Sequence, residues 1–178
     1  GPAAVAEMLL MSTADMVMDG EVPYSPRPQG SGLANAEAAL TSPVYLYTDS
    51  DSYGDTKPVV NLGDDPEETG SYTIRFHAAN MSDADATYAL EVLTMAPEYL
   101  ERDGYALMGD TGILLDCGLE GDTTVTVPAG GVQDIAVTVT LSEEARAYVE
   151  QFENGIYVEG FVCLSPVAGS AAELRDLS

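Results

Sequence analysis

Hydrophobic and polar residues alternate most plainly over Asn154–Leu164. Ile156, Val158, Val162 and Leu164 fall on one side, and Tyr157, Glu159, Phe161 and Cys163 on the other. A period of two behind an Asn-Gly turn predicts a central β-strand. The second row is too apolar for simple solvent exposure and predicts a neighbour lying against it. The same period recurs over 44–47, 57–62, 71–79, 86–95, 122–127 and 132–141. In the 71–79 stretch, Tyr72, Ile74, Phe76 and Ala78 oppose Thr73, Arg75, His77 and Ala79. With the polar turn 80–85 and a partner strand carrying Tyr88, Leu90 and Val92, it predicts a hairpin. Pro128–Gly131 reads as the turn between the 122–127 and 132–141 strands.

Helical spacing is confined to short stretches. Residues 4–14 predict a helix that places Val5, Met8, Leu9 and Ser12 on one face. Leu10 and Met11 make it apolar on most sides, as in a helix at the centre of something larger. Residues 19–32 hold three prolines and three glycines and read as an irregular connector. A short helix follows over 35–40, with Ala36, Ala39 and Leu40 as its apolar side. Ser142 caps a helix running to Phe152, with Glu143 and Glu144 at its positive end and Ala145, Tyr148, Val149 and Phe152 as its buried stripe. Residues 97–121 read as a long irregular segment, of the kind that is functional or packs on a neighbour. The tail after Pro166 has weak helical character. Seven short strands with turn signals between them predict a mainly β chain, an antiparallel sandwich with one inserted helix.

Composition narrows the functions. The 178 residues include 30 acids against 6 lysines and arginines, a formal charge of −24. Contact with nucleic-acid phosphate or attachment to an anionic membrane is excluded on this balance, and no stretch has the length of a membrane-spanning helix. Cys117 and Cys163 are too few for a disulfide framework or a zinc site; they could form one bridge or stay two free thiols, the second being favoured because Cys163 sits on a strand and Cys117 in an irregular stretch. Gly1-Pro2 reads as a scar of tag removal, and no signal peptide is evident. His77, the single histidine, is expected on the more polar face of its strand as a surface residue. No nucleophile-turn signature accompanies it, so no catalytic residue is assigned. Residues 49–55 resemble the start of a calcium loop through Asp49, Asp51 and Gly54, with Asp55 nearby. Tyr53 interrupts the pattern, and Val60 stands where the bidentate glutamate belongs. Asp49, Asp51 and Asp55 are therefore the calcium candidates in a chain otherwise expected to carry no metal or cofactor. Asp64, Asp65, Glu67 and Glu68 read as a solvated acidic run.

Two stretches resemble one family. A-E-M-L-L-M-S-T-A at 6–14 and S-P-R-P-Q-G-S-G-L-A-N-A-E-A-A-L at 25–40 are similar to the end of a subtilisin-like catalytic domain. Arg27, Gln29, Gly30, Gly32, Leu33, Asn35, Ala36 and Ala39 sit on that pattern, with Ser31 where the family more often has alanine. N-G-I-Y-V-E-G-F-V-C-L at 154–164 resembles the late strand of the fibronectin type III-like domain that follows the catalytic domain in cell-envelope subtilases. These are the lactocepin-type and complement-cleaving surface peptidases. The resemblance implies that 1–42 is the C-terminal remnant of a subtilase catalytic domain. Residues 43–178 would be a fibronectin type III/immunoglobulin-like sandwich lacking its last strand. The catalytic Asp, His and Ser segments would lie upstream of residue 1, and no sorting signal is seen.

The resemblance thus implies a non-catalytic accessory fragment of a secreted or cell-wall-associated bacterial serine endopeptidase. Its partners would be the parent's catalytic domain and protein substrates, without nucleic acid or membrane insertion. The long 97–121 segment is the candidate for those contacts. The alternative is an independent adhesive or ligand-binding sandwich, since architecture alone does not fix function.

Overall fold

The computed structural model describes residues 1–50, 54 and 56–168. Helix α1 (Pro2–Ser12) leads to a small hairpin, β1 (Met18–Asp19) and β2 (Val22–Pro23). One-turn α2 (Pro26–Gln29) and α3 (Ala36–Thr41) follow. The sandwich strands are β3 (Val44–Tyr47), β4 (Ser71–Asn80), β5 (Ala86–Arg102), β6 (Tyr105–Leu114), β7 (Cys117–Glu120), β8 (Thr124–Val127) and β9 (Val132–Leu141). Helix α4 (Glu143–Val149) precedes the last described strand, β10 (Glu159–Pro166).

One sheet runs β3-β4-β9-β7. The other is built on β5, with β10 along one edge. On the opposite edge β8 pairs with Ala86–Ala89 and β6 with Met95–Arg102. Every pairing is antiparallel. The inward rows meet in one core, where Val44, Phe76 and Val137 of the first sheet pack with Tyr88, Val127 and Leu164 of the second. Each such side chain contributes about 1.5–3 kcal/mol by leaving water. A second cluster joins Ala96, Leu115 and Leu141 to Ala145 of α4.

The stretch 71–95 is not a hairpin. β4 and β5 lie in different sheets, and residues 80–85 cross between them. Buried Asn80 holds this corner. Its Nδ2 donates to the carbonyls of Ala84 and Val127 at 2.8 and 3.1 Å, and its Oδ1 accepts from the backbone and hydroxyl of Ser82. A period of two is the same whether a turn closes a hairpin or changes sheets, so the pattern alone cannot separate them.

Residues 57–62 form no strand. Pro58 removes a ladder donor, and Val59, Val60 and Leu62 are exposed. Much of the segment read as irregular, 97–121, is instead regular. β5 continues to Arg102 and turns at Asp103-Gly104, whose φ values of 54° and 79° suit a type I′ turn, before returning as β6. Cys117 lies on β7. β10 begins at Glu159 rather than Asn154, and Gly160 is required there because a Cβ would overlap the Leu93 carbonyl. The 19–32 connector contains the end of β1 and all of β2 and α2, and the buried residue of α3 is Ala38, with Leu40 87% exposed.

Two side chains finish strand edges. Ser12 of α1, fully buried, accepts from the Leu46 N–H at 2.8 Å and donates to the Leu46 carbonyl at 3.4 Å, covering the outer edge of β3. Beyond the last β10 pair, Glu159–Met95, the Tyr148 hydroxyl of α4 donates to the Pro97 carbonyl at 2.8 Å. It also accepts from the Tyr99 N–H at 2.6 Å. A buried backbone group left without a partner costs about 1–3 kcal/mol, so these hydroxyls decide where both elements dock.

Candidate functional site

His77 sits mid-β4, and the pairing of β4 with β9 sets Asp134 directly opposite it. Its Nδ1 lies 2.7 Å from Asp134 Oδ1 and its Nε2 lies 3.0 Å from Asp49 Oδ1, while Tyr47 of β3 stacks on the ring at 4.8 Å. Burial of the ring works against its charge, but the hydrogen bonds and negative charges of Asp134 and Asp49 outweigh it, and the net shift of its pKa is upward. The arrangement favours an imidazolium clamped between two carboxylates. Both ring nitrogens are engaged, so neither is free to take a proton from a nucleophile. The surface reading of His77 holds for the face, though its side chain is only 20% exposed.

Of the calcium candidates, Asp49 turns its carboxylate to His77. Asp51 and Asp55 lie outside the described residues. Among the described residues no group of three or more His, Cys, Asp or Glu converges as metal ligands. Asp65, in the acidic run, closes a turn. Its carboxylate accepts from the backbones of Thr69 and Gly70 at 3.0 and 2.9 Å, and these bonds hold its pKa below the usual carboxylate range. Cys117 and Cys163 are both thiols, half-buried on strands of different sheets. Burial pushes the Cys117 thiol up.

The R-P-Q-G-S-G-L-A-N segment makes a structural knot. Gln29 accepts from the Val17 N–H at 2.8 Å and donates to the carbonyls of Val17 and Tyr24. Gly32 has φ 114°, and a Cβ there would overlap the Asp15 carbonyl, which itself accepts from the Leu33 N–H at 2.8 Å. Asn35 caps α3 through the Ala38 N–H and donates to Asp15. Arg27 binds this knot to the sandwich. Its guanidinium meets Glu159 at 2.9 Å and lies 4.4 Å over the Tyr157 ring. The apolar row expected to have a neighbour therefore has one at Tyr157 and Glu159, supplied by residue 27 of the same chain. Residue spacing could not show this, because the partners are 132 positions apart.

In the N-terminal segment the large apolar residues Leu10, Met18, Tyr24, Leu33 and Leu40 are exposed. A second exposed apolar group lies on the β5–β6 hairpin: Leu100, Tyr105, Leu107 and Met108. Scattered exposed apolar side chains are ordinary, whereas large contiguous patches mark interaction surfaces. Two shallow grooves, of about 330 and 420 Å³, open along β8–β9 and between α4 and β6, and His77 lines neither.

A family model described as an Fn3-like domain matches residues 60–175. The C5a peptidase of Streptococcus pyogenes is 26% identical over 160 residues, covering 89% of this chain and 13% of that protein. The C5a peptidase of S. pyogenes serotype M1 is 24% identical over 160 residues, covering 89% of this chain and 12% of its own length. The chain spans about an eighth of the length of these curated relatives.

Proposed function

The chain belongs to the Fn3-like domain family, and from that premise we propose that it is the non-catalytic accessory region of a secreted, cell-surface, subtilisin-like serine endopeptidase. Residues 1–42 would close the catalytic domain and 43–178 would form the module behind it. The module's work would be to buttress that domain and help position protein substrates. The likeness to C5a peptidases supports the protease context. Among the described residues no helix is long and apolar enough to cross a membrane.

The observation that carries this reading is that residues 1–42 are bound to the sandwich and yet expose large apolar side chains. Ser12–Leu46 and Arg27–Glu159 tie the segment down. Leu33 and Leu40 are 66% and 87% exposed. A segment that ends one domain and rests on the next has this form, since its outward apolar side chains are covered by the preceding domain. A free-standing adhesive module has no such need.

The test compares the longer polypeptide with this chain alone. The isolated chain is expected neither to cleave casein nor to be labelled by a serine-reactive fluorophosphonate. The longer polypeptide is expected to lose activity or thermal stability when residues 43–178 are deleted. Labelling of the isolated chain together with casein cleavage would refute the reading.

A further inference from the structure

We propose that the groove between β8 and β9 binds an extended, cationic peptide segment, which adds to the outer edge of β8 as a further strand. This goes beyond the accessory-region reading and rests only on the fold of this chain.

The groove opens where the chain changes sheets. β7 pairs with β9 as far as Glu120 opposite Thr138, and β8 takes up its pairing with β5 at Thr124 opposite Ala89. Between them Gly121, at φ 122°, passes so close to β9 that a Cβ would lie 3.0 Å from the Ala136 carbonyl. The departure leaves a groove of about 330 Å³ whose walls include Thr124 and Thr126 on one side and Asp134 and Ala136 on the other.

The direction of the backbone shows that both walls are strand edges. Successive residues of an antiparallel strand turn their N–H and C=O groups to opposite sides. The Leu90 N–H donates to the Thr123 carbonyl at 2.8 Å, so Val125 and Val127 also face β5, and Thr124 and Thr126 face away from it. The Leu141 N–H donates to the Gly70 carbonyl at 2.8 Å, so Asp134 and Ala136 face the side that β7 has left. On the β9 wall the Asp134 carbonyl accepts from the Gln133 side chain at 2.9 Å. Among the described residues no strand pairs with the outer edge of β8. An edge of this kind recognises the N–H and C=O groups of an extended peptide.

Charge selects the side chains of that peptide. Asp122 and Asp134 line the groove, and among the described residues no lysine or arginine does. Asp134 gives one oxygen to His77, and its side chain is 85% exposed. The chain carries a net charge of −24, so a second copy is repelled and a guest bearing lysine or arginine is attracted.

The test uses this chain alone and, as probe, a capped heptapeptide alternating lysine with valine. NMR shifts on titration are expected over 122–126 and 133–136, and the Thr124 and Thr126 amides should exchange about tenfold more slowly at saturation. Two control peptides separate the contributions: one with glutamate for lysine, and one N-methylated at alternate amides, made in both registers. Neither control should bind. Equal binding of the N-methylated peptides would reduce the contact to charge attraction and overturn strand addition. Equal binding of the glutamate peptide would overturn the cationic guest. Slowing of Thr124 and Thr126 with rising protein concentration and no peptide would make a second copy the occupant and overturn the proposal. Thr126→Pro removes an N–H that faces away from β5, so it should abolish binding while circular dichroism stays that of the folded chain. Undiminished binding by the folded variant would equally refute the site.

Discussion

Tyr88 offers a prediction that runs against the usual direction of core mutations. Its side chain is fully buried between the sheets, and its hydroxyl has no hydrogen-bond partner among the described residues. Burial pushes the phenol well above its ordinary pKa range. An unmatched buried hydroxyl costs about 1–3 kcal/mol. Tyr88→Phe keeps the ring and removes the orphan. The void left by one oxygen, on the order of 10 Å³, costs about 0.2 kcal/mol at the observed cavity coefficient. The variant should therefore be more stable by about 1 kcal/mol or more, raising Tm by roughly 2–4 °C per kcal/mol for a chain of this size. The chain has no tryptophan, so urea unfolding is best followed by circular dichroism, with calorimetry for Tm. Tyr88→Leu, which keeps the site apolar but loses ring volume, should be destabilising and gives the scale of the packing contribution. A Tyr88→Phe protein with a lower urea midpoint at unchanged m would show that the hydroxyl has a partner and would refute the reasoning.

Three further outcomes follow from the same geometry. Arg27→Ala should speed hydrogen exchange across residues 15–41 and cost about 1 kcal/mol, from the loss of an ion pair and a cation–π contact; unchanged exchange would mean that Arg27 does not bind the segment. Ser12→Ala leaves the Leu46 N–H buried without its partner and should cost about 1–3 kcal/mol in urea unfolding. The folded pKa of His77 lies above its unfolded value of about 6.5, so the stability it contributes is full below that pH and is lost as pH rises through the folded pKa. The gap between the native chain and His77→Gln should accordingly be widest in mild acid and close toward alkaline pH, and NMR titration of this single histidine should show its midpoint falling in both Asp49→Asn and Asp134→Asn.

Alternation along the chain was enough to locate β3, β4, β9 and the start of β5, because inward residues of a sandwich strand must be apolar whatever the strand pairs with. It also found the α4 stripe and its Ser142 cap, since both depend on neighbours within four residues. The Asp103-Gly104 dipeptide was the available signal for the β5–β6 hairpin, and reading 97–121 as irregular passed over it. Sheet membership was not legible. Only the closed core assigns β4 and β5 to opposite layers, with Asn80 bridging the corner to Val127. Nor could the sequence bring Asp134 and Asp49 to the two nitrogens of His77, because that requires the register of β4 on β9 and the path of the chain after β3.

The strand around Val162 and Leu164 was determined locally, by a period of two. What lies against its other row was decided by the tertiary structure, which carries Arg27 to Tyr157 and Glu159. The physical reason is range: a strand's pattern records which of its faces leaves water, whereas its partner depends on the folding of the whole intervening chain.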